Sequence, residues 1–128
     1  MAGLGDLAEL LRSMAPELHE VPYGFGLMQG EGWVSGAFAM MVEDEGVTVV
    51  ATEAVLTAAG IAHQSGWARI SLKVHSDLQA VGLTAAISTA LTVRGISANV
   101  VAGYHHDHFL SNGHGGKTQW QHWMRCDD

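Results

Sequence analysis

The stretch "SLKVHSDLQAVGLTAAISTALTVRGISANVVAGYHHDHF", residues 71–109, contains the clearest succession of elements in the chain. Apolar and polar residues alternate at its start, which predicts a strand with one buried face. Apolar residues at helical spacing follow from Leu83 to Leu91, and Gly95 ends the predicted helix. The apolar segment "ISANVVAGY" then predicts a strand inside a sheet, and "HFL" can begin a return strand. This order matches the opening of a split βαββαβ, ferredoxin-like unit.

Upstream of this stretch lies the clearest predicted hairpin. Residues 37–42 and 47–51 are two apolar runs that flank a turn, and Gly46 can take the positive φ that a tight turn needs. A short helix is predicted directly after the hairpin, with Thr52 as its N-cap and Gly60 as its stop.

Another strand is predicted in the segment "HEVPYGFGLM", where apolar residues alternate with other residue types. The predicted buried face carries Val21, Tyr23, Phe25 and Leu27. Gly24 and Gly26 lie on the other face, which indicates either a close neighbour or a bulge. Before this strand, the leucines of "DLAELLRSM" share one face of a predicted helix.

Helices interleaved with antiparallel hairpins predict the fold class α+β. In the second half of the chain, the positions that alternate along strands or recur along the helix are expected to form the core. The predicted core residues are Leu72, Val74, Ile87, Leu91, Val100 and Val101.

The same stretch resembles the C-terminal module of small stand-alone bacterial ACT-domain proteins, through "AVGLTA" at residues 80–85 and "NVVAGY" at residues 99–104. The first half resembles the family more loosely, through "GDLAELLRSMAPEL" and "EDEGVTVVATEAVLTAAGI". The resemblance implies two tandem ferredoxin-like modules with antiparallel sheets. The first is irregular and covers residues 1–66. The second covers residues 67–110 and lacks its last helix, and residues 111–128 form an atypical tail.

The tail departs from the family pattern, in which an Ala- and Leu-rich helix follows the last strand. Trp and Met each have a single codon, so part of the coding sequence can be inferred. Read from the third base of each codon, "QWQHWMRC" encodes Met or Val, Ala, Thr or Ala, Leu and Asp, followed by Ala if Arg125 uses a CGN codon, and these are mostly strong helix formers. We therefore hypothesise that residues after about His108 are translated out of frame. Their histidines, tryptophans and cysteine would then carry no selected chemistry.

Composition restricts the classes of function. The chain has 128 residues, a formal net charge of −7 and six Lys and Arg residues in total, so it lacks a basic footprint for nucleic acid or anionic membranes. A single cysteine excludes an internal disulfide framework and favours a reducing compartment. The start "MAGLGDLAELLRS" has no signal-peptide pattern, and no apolar run reaches a membrane-spanning length. We expect a cytoplasmic protein.

The resemblance implies a regulatory protein that binds an amino acid or a similar small effector and acts through association, with a homodimer expected. It implies no catalytic group and no cofactor. In such modules a glycine at the strand-to-helix junction lets the backbone approach the ligand, and the unpaired N–H groups at a helix start favour a carboxylate there. The predicted ligand-binding residues are Val81, Gly82, Leu83, Thr84 and Asn99. The alternative is that Gly82 only permits a turn and that Asn99 only caps a sheet edge.

The segment "HHDH" supports a second hypothesis, a metal-binding protein or metal-dependent enzyme that uses His105, His106 and His108. His106 and His108 share one face of a strand, so only two ligands converge there, whereas zinc requires three or four. A third hypothesis is a dimerisation module that binds no ligand. No serine lies in a nucleophile elbow, and no glycine-rich phosphate loop is present.

Overall fold

The computed structural model describes residues 16–73, 83–93 and 95–113. The chain divides into two compact units. We call residues 20–67 the inserted unit, and residues 16–19 together with the described residues from 68 onward the divided unit. The elements are β1 (Pro16–Leu18), β2 (Tyr23–Met28), β3 (Ala39–Glu43), β4 (Gly46–Thr52), α1 (Glu53–Ala58), β5 (His63–Leu72), α2 (Leu83–Val93), β6 (Ile96–Ala102) and β7 (Asp107–Gly113).

The sheet of the inserted unit has the order β3-β4-β2-β5, in which only the first half of β5 takes part, and every pairing is antiparallel. The predicted hairpin is confirmed, since β3 pairs with β4 in a register that runs from Ala39 opposite Val50 to Glu43 opposite Gly46. Gly46 has a φ of 147° at the turn, a value that side-chain-bearing residues rarely adopt. The local pattern therefore determined this element.

The helix α1 also begins and ends where the sequence predicts. The Thr52 side chain accepts a hydrogen bond from the backbone N–H of Val55 at 3.2 Å, which satisfies one of the free donors at the helix start. Gly60 follows the helix with a φ of 72°. Leu56, which is fully buried, anchors the helix in the core of the inserted unit.

The glycines of β2 explain how closely α1 approaches the sheet. A Cβ atom on Gly24 would lie 3.0 Å from the Leu56 side chain, and one on Gly26 would lie 2.5 Å from that of Ile61. The predicted close neighbour is therefore confirmed. The prediction of the buried face was partly wrong: Leu27 is 46% exposed, because the core lies on the glycine side of the strand.

The connection from β2 to β3 contains no helix among its residues, 29–38, all of which are described. Val34 from this loop is buried and packs in the core cluster around Leu56. A loop with one apolar anchor thus takes the place that a helix has in a regular βαββαβ unit. The predicted irregularity of the first half corresponds to this loop, which replaces a helix.

The sheet of the divided unit has the order β1-β5-β7-β6, again antiparallel throughout. In a ferredoxin-like unit the corresponding order is fourth, first, third and second strand, so β1 fills the position of the fourth strand. The core packs α2 against the sheet through Ala68, Ile70, Leu72, Leu91, Ile96 and Phe109. The predicted module boundaries stay a prediction.

Several predictions for the second half can be compared with this unit. Leu72 and Leu91 are buried as predicted, and β7 confirms the predicted return strand, with Phe109 fully buried. The prediction that "ISANVVAGY" lies inside a sheet was wrong, because β6 is at the end of the strand order and Val100 is 38% exposed. Val101 is half-buried. Val74, the side chain of Ile87 and the tail after residue 113 lie outside the described part.

Candidate ligand-binding site

Of the five predicted ligand-binding residues, Leu83 and Thr84 belong to the described part of α2 and Asn99 lies on β6, all in the divided unit. The described part of this helix is Leu83–Val93, which follows the predicted Val81–Gly82 junction in the sequence, and its first turn contains no acidic residue. The first N–H groups of such a helix have no intrahelical partner, so they can bind an anion. Val81 and Gly82 lie outside the described residues, as do the side chains of Leu83 and Thr84.

Asn99, the remaining predicted contact, lies exposed on β6 and is paired across the sheet with Leu110. Its amide can donate and accept hydrogen bonds at the edge of the described sheet. The structure places Asn99 and α2 in the same unit, and the helix packs against β6 through the core around Ile96. Whether Asn99 and the α2 start share one ligand stays a prediction.

The inserted unit has no equivalent of this helix start, because a loop follows β2. The loop borders two cavities. One has a volume of about 460 Å³ and a mainly apolar lining of Met28, Trp33, Val34, Ser35, Val55, Ala58, Ala59 and Ile61. The other has a volume of about 690 Å³, and Trp33, which is 77% exposed, borders it as well.

The larger cavity has an acidic rim. Four carboxylate side chains line it, and the described lining contains no Lys or Arg; the four are Glu31, Glu43, Asp44 and Glu45. Like charges at such a rim raise the free energy of a bound carboxylate. The larger cavity of the inserted unit is therefore electrostatically unfavourable for an anionic ligand.

A polar cluster in the divided unit was missed by the sequence reasoning. The Ser71 hydroxyl lies 3.0 Å from Nε2 of His19 and 2.8 Å from Nδ1 of His108, and Ser71 is only 1% exposed. Burial and the Arg69 guanidinium lower the pKa of His19, and the same two causes lower the pKa of His108 to about 4. The three residues are far apart in sequence, so no local motif could reveal the cluster.

The metal hypothesis receives no support from the described residues. No group of three or more His, Cys, Asp or Glu side chains could hold a metal ion in that part of the chain. His105 is exposed and its ring stacks edge-on with Tyr104, at a centroid distance of 5.0 Å. His108 instead faces Ser71 through Nδ1. His114, His122 and Cys126 lie outside the described residues.

Comparisons with known proteins agree with the strand order of both units. A family model described as ACT domain matches residues 2–68, and a second model with the same description matches residues 62–110. None of the curated proteins matches the chain. Among the described residues, no helix is long and apolar enough to cross a membrane.

Three solved structures show the same fold. A Vibrio cholerae protein of unknown function, described as a possible transport protein, is 38% identical, with a TM-score of 0.75, and the match covers 96% of this chain and 95% of that chain. An Agrobacterium tumefaciens protein is 15% identical, with a TM-score of 0.69 and coverage of 86% and 85%. Escherichia coli aspartokinase III, solved with aspartate and ADP, is 13% identical, with a TM-score of 0.58 and coverage of 87% and 32%.

Proposed function

Because this chain belongs to the ACT-domain family, we propose that it is a non-catalytic regulatory protein that binds an amino acid at the start of α2. The observation that supports the proposal is the helix α2, whose described residues Leu83–Val93 follow Val81 and Gly82 in the sequence. ACT domains are regulatory modules that typically bind small effectors. The helix start offers unpaired N–H groups and the positive end of the helix dipole to a ligand carboxylate.

Each proposed contact has a separate chemical role. The absence of a side chain at Gly82 lets the ligand approach the backbone. Thr84 adds a hydroxyl group, and the side-chain oxygen of Asn99 is an acceptor for the ligand's ammonium group. The acidic rim in the inserted unit disfavours a carboxylate, so we assign one amino-acid site to the divided unit and none to the inserted unit.

Regulation by such a module requires a partner, and we infer a homodimer in the cytoplasm. The strands β3 and β6 support this inference, because each has a single neighbouring strand among those described. Edge strands present backbone N–H and C=O groups that can pair with another chain. We propose no interaction with nucleic acid or with a membrane.

The test is a thermal-shift series of the full chain with each of the twenty amino acids. Aspartate is measured first, because the structurally similar aspartokinase III was solved with it. A ligand at 100 times its Kd adds about 2.7 kcal/mol to the free energy of unfolding, which is readily measured. Absence of any shift would support the ligand-free dimerisation module instead.

The variant Thr84→Val distinguishes the proposed site from other binding surfaces. It keeps the size of the side chain but removes the hydroxyl, so the thermal shift should decrease. Thr57→Val is the matched control, since Thr57 is exposed on α1 in the inserted unit. Equal effects of the two variants would contradict the assignment of the site to α2.

A further inference from the structure

The polar cluster of His19, Ser71 and His108, which we call the histidine–serine chain, crosses three segments of the divided unit. His19 follows β1, Ser71 lies on β5 and His108 lies on β7. The registers place Ser71 between Glu17 on one side and His108 on the other. The histidine–serine chain therefore links the short strand β1 to the two central strands of the sheet, β5 and β7.

The numbers of hydrogen-bond donors and acceptors in this cluster make its hydrogen bonds dependent on the protonation of the two imidazole rings. A serine hydroxyl has one donor and two acceptor positions, and a neutral imidazole has one donor and one acceptor nitrogen. Both contacts of Ser71 are therefore satisfied when both rings are neutral, with Ser71 donating to one ring and accepting from the other. Protonation of the accepting ring turns it into a donor. The Ser71 hydrogen then loses its partner in a buried position, which is unfavourable.

The cationic groups around the two rings act in the same direction. Arg69 and Lys73, from β5 and its end, and His106, which precedes β7, all disfavour a positive charge on His108. Glu17 on β1 acts in the opposite direction and raises the pKa of His19, but burial and Arg69 are the larger effects, and Glu17 also forms an ion pair with Lys73 at 3.1 Å. That partnership lowers the pKa of Glu17. The ion pair therefore remains formed in weak acid, where an imidazole titrates.

The strand β1 is the shortest described strand of the divided unit. β1 has three residues and pairs only with β5 among the described strands. The backbone N–H of His19 donates to the carbonyl of Arg69 at 3.0 Å, and Leu18 packs against the core. The ion pair of Glu17 is half-exposed and so contributes little. Loss of the histidine–serine chain would therefore weaken the attachment of β1 to β5.

We propose that the histidine–serine chain is a proton-sensitive clasp, which holds β1 on the edge of β5 at neutral pH and releases it in weak acid. Release leaves the rest of the divided unit folded. Release exposes the edge of β5 that pairs with β1. It also exposes the Ile70 side chain, which lies opposite Leu18 in the strand pair. An open strand edge next to an apolar side chain can pair with a strand of another chain.

The test measures amide hydrogen exchange of the full chain at pH 7.5 and pH 5.0, after correction for intrinsic rates. The reporter is the His19 amide, because its hydrogen bond to Arg69 is lost when β1 leaves. We expect its protection to decrease about tenfold at pH 5.0, a value already reduced for solvent screening. The amides of the β6–β7 ladder should keep their protection. An equal loss in that ladder, or a change at His19 below about twofold, would overturn the proposal.

Three variants separate the clasp from general acid sensitivity. His19→Gln and His108→Gln each keep hydrogen-bonding groups without titrating, so each should reduce the pH dependence at the His19 amide. If one of them does not fold, the other carries the test. His105→Gln is the matched control, because that ring is exposed and has no contact with Ser71 among the hydrogen bonds of the described residues. A pH dependence that survives both clasp variants, or that His105→Gln abolishes, would refute the clasp.

Discussion

The inserted unit and the divided unit have the same strand order but complete it in different ways. The inserted unit is continuous in sequence and has a loop, residues 29–38, in place of one helix. The divided unit has the helix α2 in that topological position, and it takes its fourth strand from residues 16–18. Strand order is therefore the property that the two units share. Helices and chain continuity can vary around it.

Removal of the buried leucine from each helix has the largest expected effect. Leu56 on α1 and Leu91 on α2 are both fully buried, so Leu56→Ala and Leu91→Ala should each lower the free energy of unfolding by about 2–5 kcal/mol. Urea titration followed by circular dichroism measures this. The exposed neighbours provide matched controls, Thr57→Ala and Thr92→Ala, which should cost far less. A cost below about 0.5 kcal/mol at either leucine would show that its helix face is wrongly assigned.

Gly26→Ala should have the next largest effect and should act only on the inserted unit. The new methyl group would lie 2.5 Å from the Ile61 side chain and 3.1 Å from the Ala62 carbonyl oxygen, so the core must shift. We expect a loss of about 1–3 kcal/mol. Adding Ile61→Ala removes one of the two clashing groups. The double variant should therefore lose less than the sum of the single variants, and strict additivity would contradict the close-approach explanation.

The pH dependence of stability should distinguish the two units, because the histidine–serine chain lies in the divided unit alone. The pKa of His108 is lowered to about 4, so the unfolded chain binds more protons than the folded chain between that value and the ordinary histidine pKa. Stability is thus fully present above about pH 6.5 and decreases as the pH falls toward 4. The urea midpoint should follow this course in the native chain and flatten in His108→Gln. A midpoint that rises on acidification would contradict the assignment.

The smallest effect is expected at the exposed edge of the inserted unit. Val42 on β3 is 86% exposed, so Val42→Lys should change the free energy of unfolding by less than about 0.5 kcal/mol. The same substitution at Val100 on β6, which is 38% exposed, should cost more. Light scattering of both variants also tests the proposed homodimer. If β3 is the dimer contact, Val42→Lys will dissociate the dimer without unfolding the chain; unchanged assembly of both variants would exclude both edges.

Elements with local signals could be predicted from the sequence. The hairpin of β3 and β4 depends on alternation and on Gly46, and α1 depends on Thr52 and Gly60, all of which act over a few residues. The edge position of β6 could not be predicted, because an apolar run has the same composition in a buried strand and in an edge strand that a helix covers on one face. Its place depends on the strand order, which is a property of the whole unit.

The candidate site shows the same limit. The helix α2 could be predicted, since apolar residues recur at helical spacing from Leu83 to Leu91. The contact of Ser71 with His19 and His108 could not, because it depends on β1 pairing with β5 across the whole inserted unit. His108 was instead grouped with its sequence neighbours as a metal ligand. Adjacency in sequence was the wrong guide to its partner.

The origin of β1 also affects how the chain is made. His19 and Ser71 are 52 residues apart, and the inserted unit lies between them. During synthesis, all strands of the inserted unit are available once Trp67 has left the ribosome. The strand β1 can pair with β5 only after residues 70–72 have also been made. Contacts between distant residues form slowly, because the closure of a long loop costs entropy. We therefore expect the inserted unit to fold first, which would shorten the loop that β1 must close.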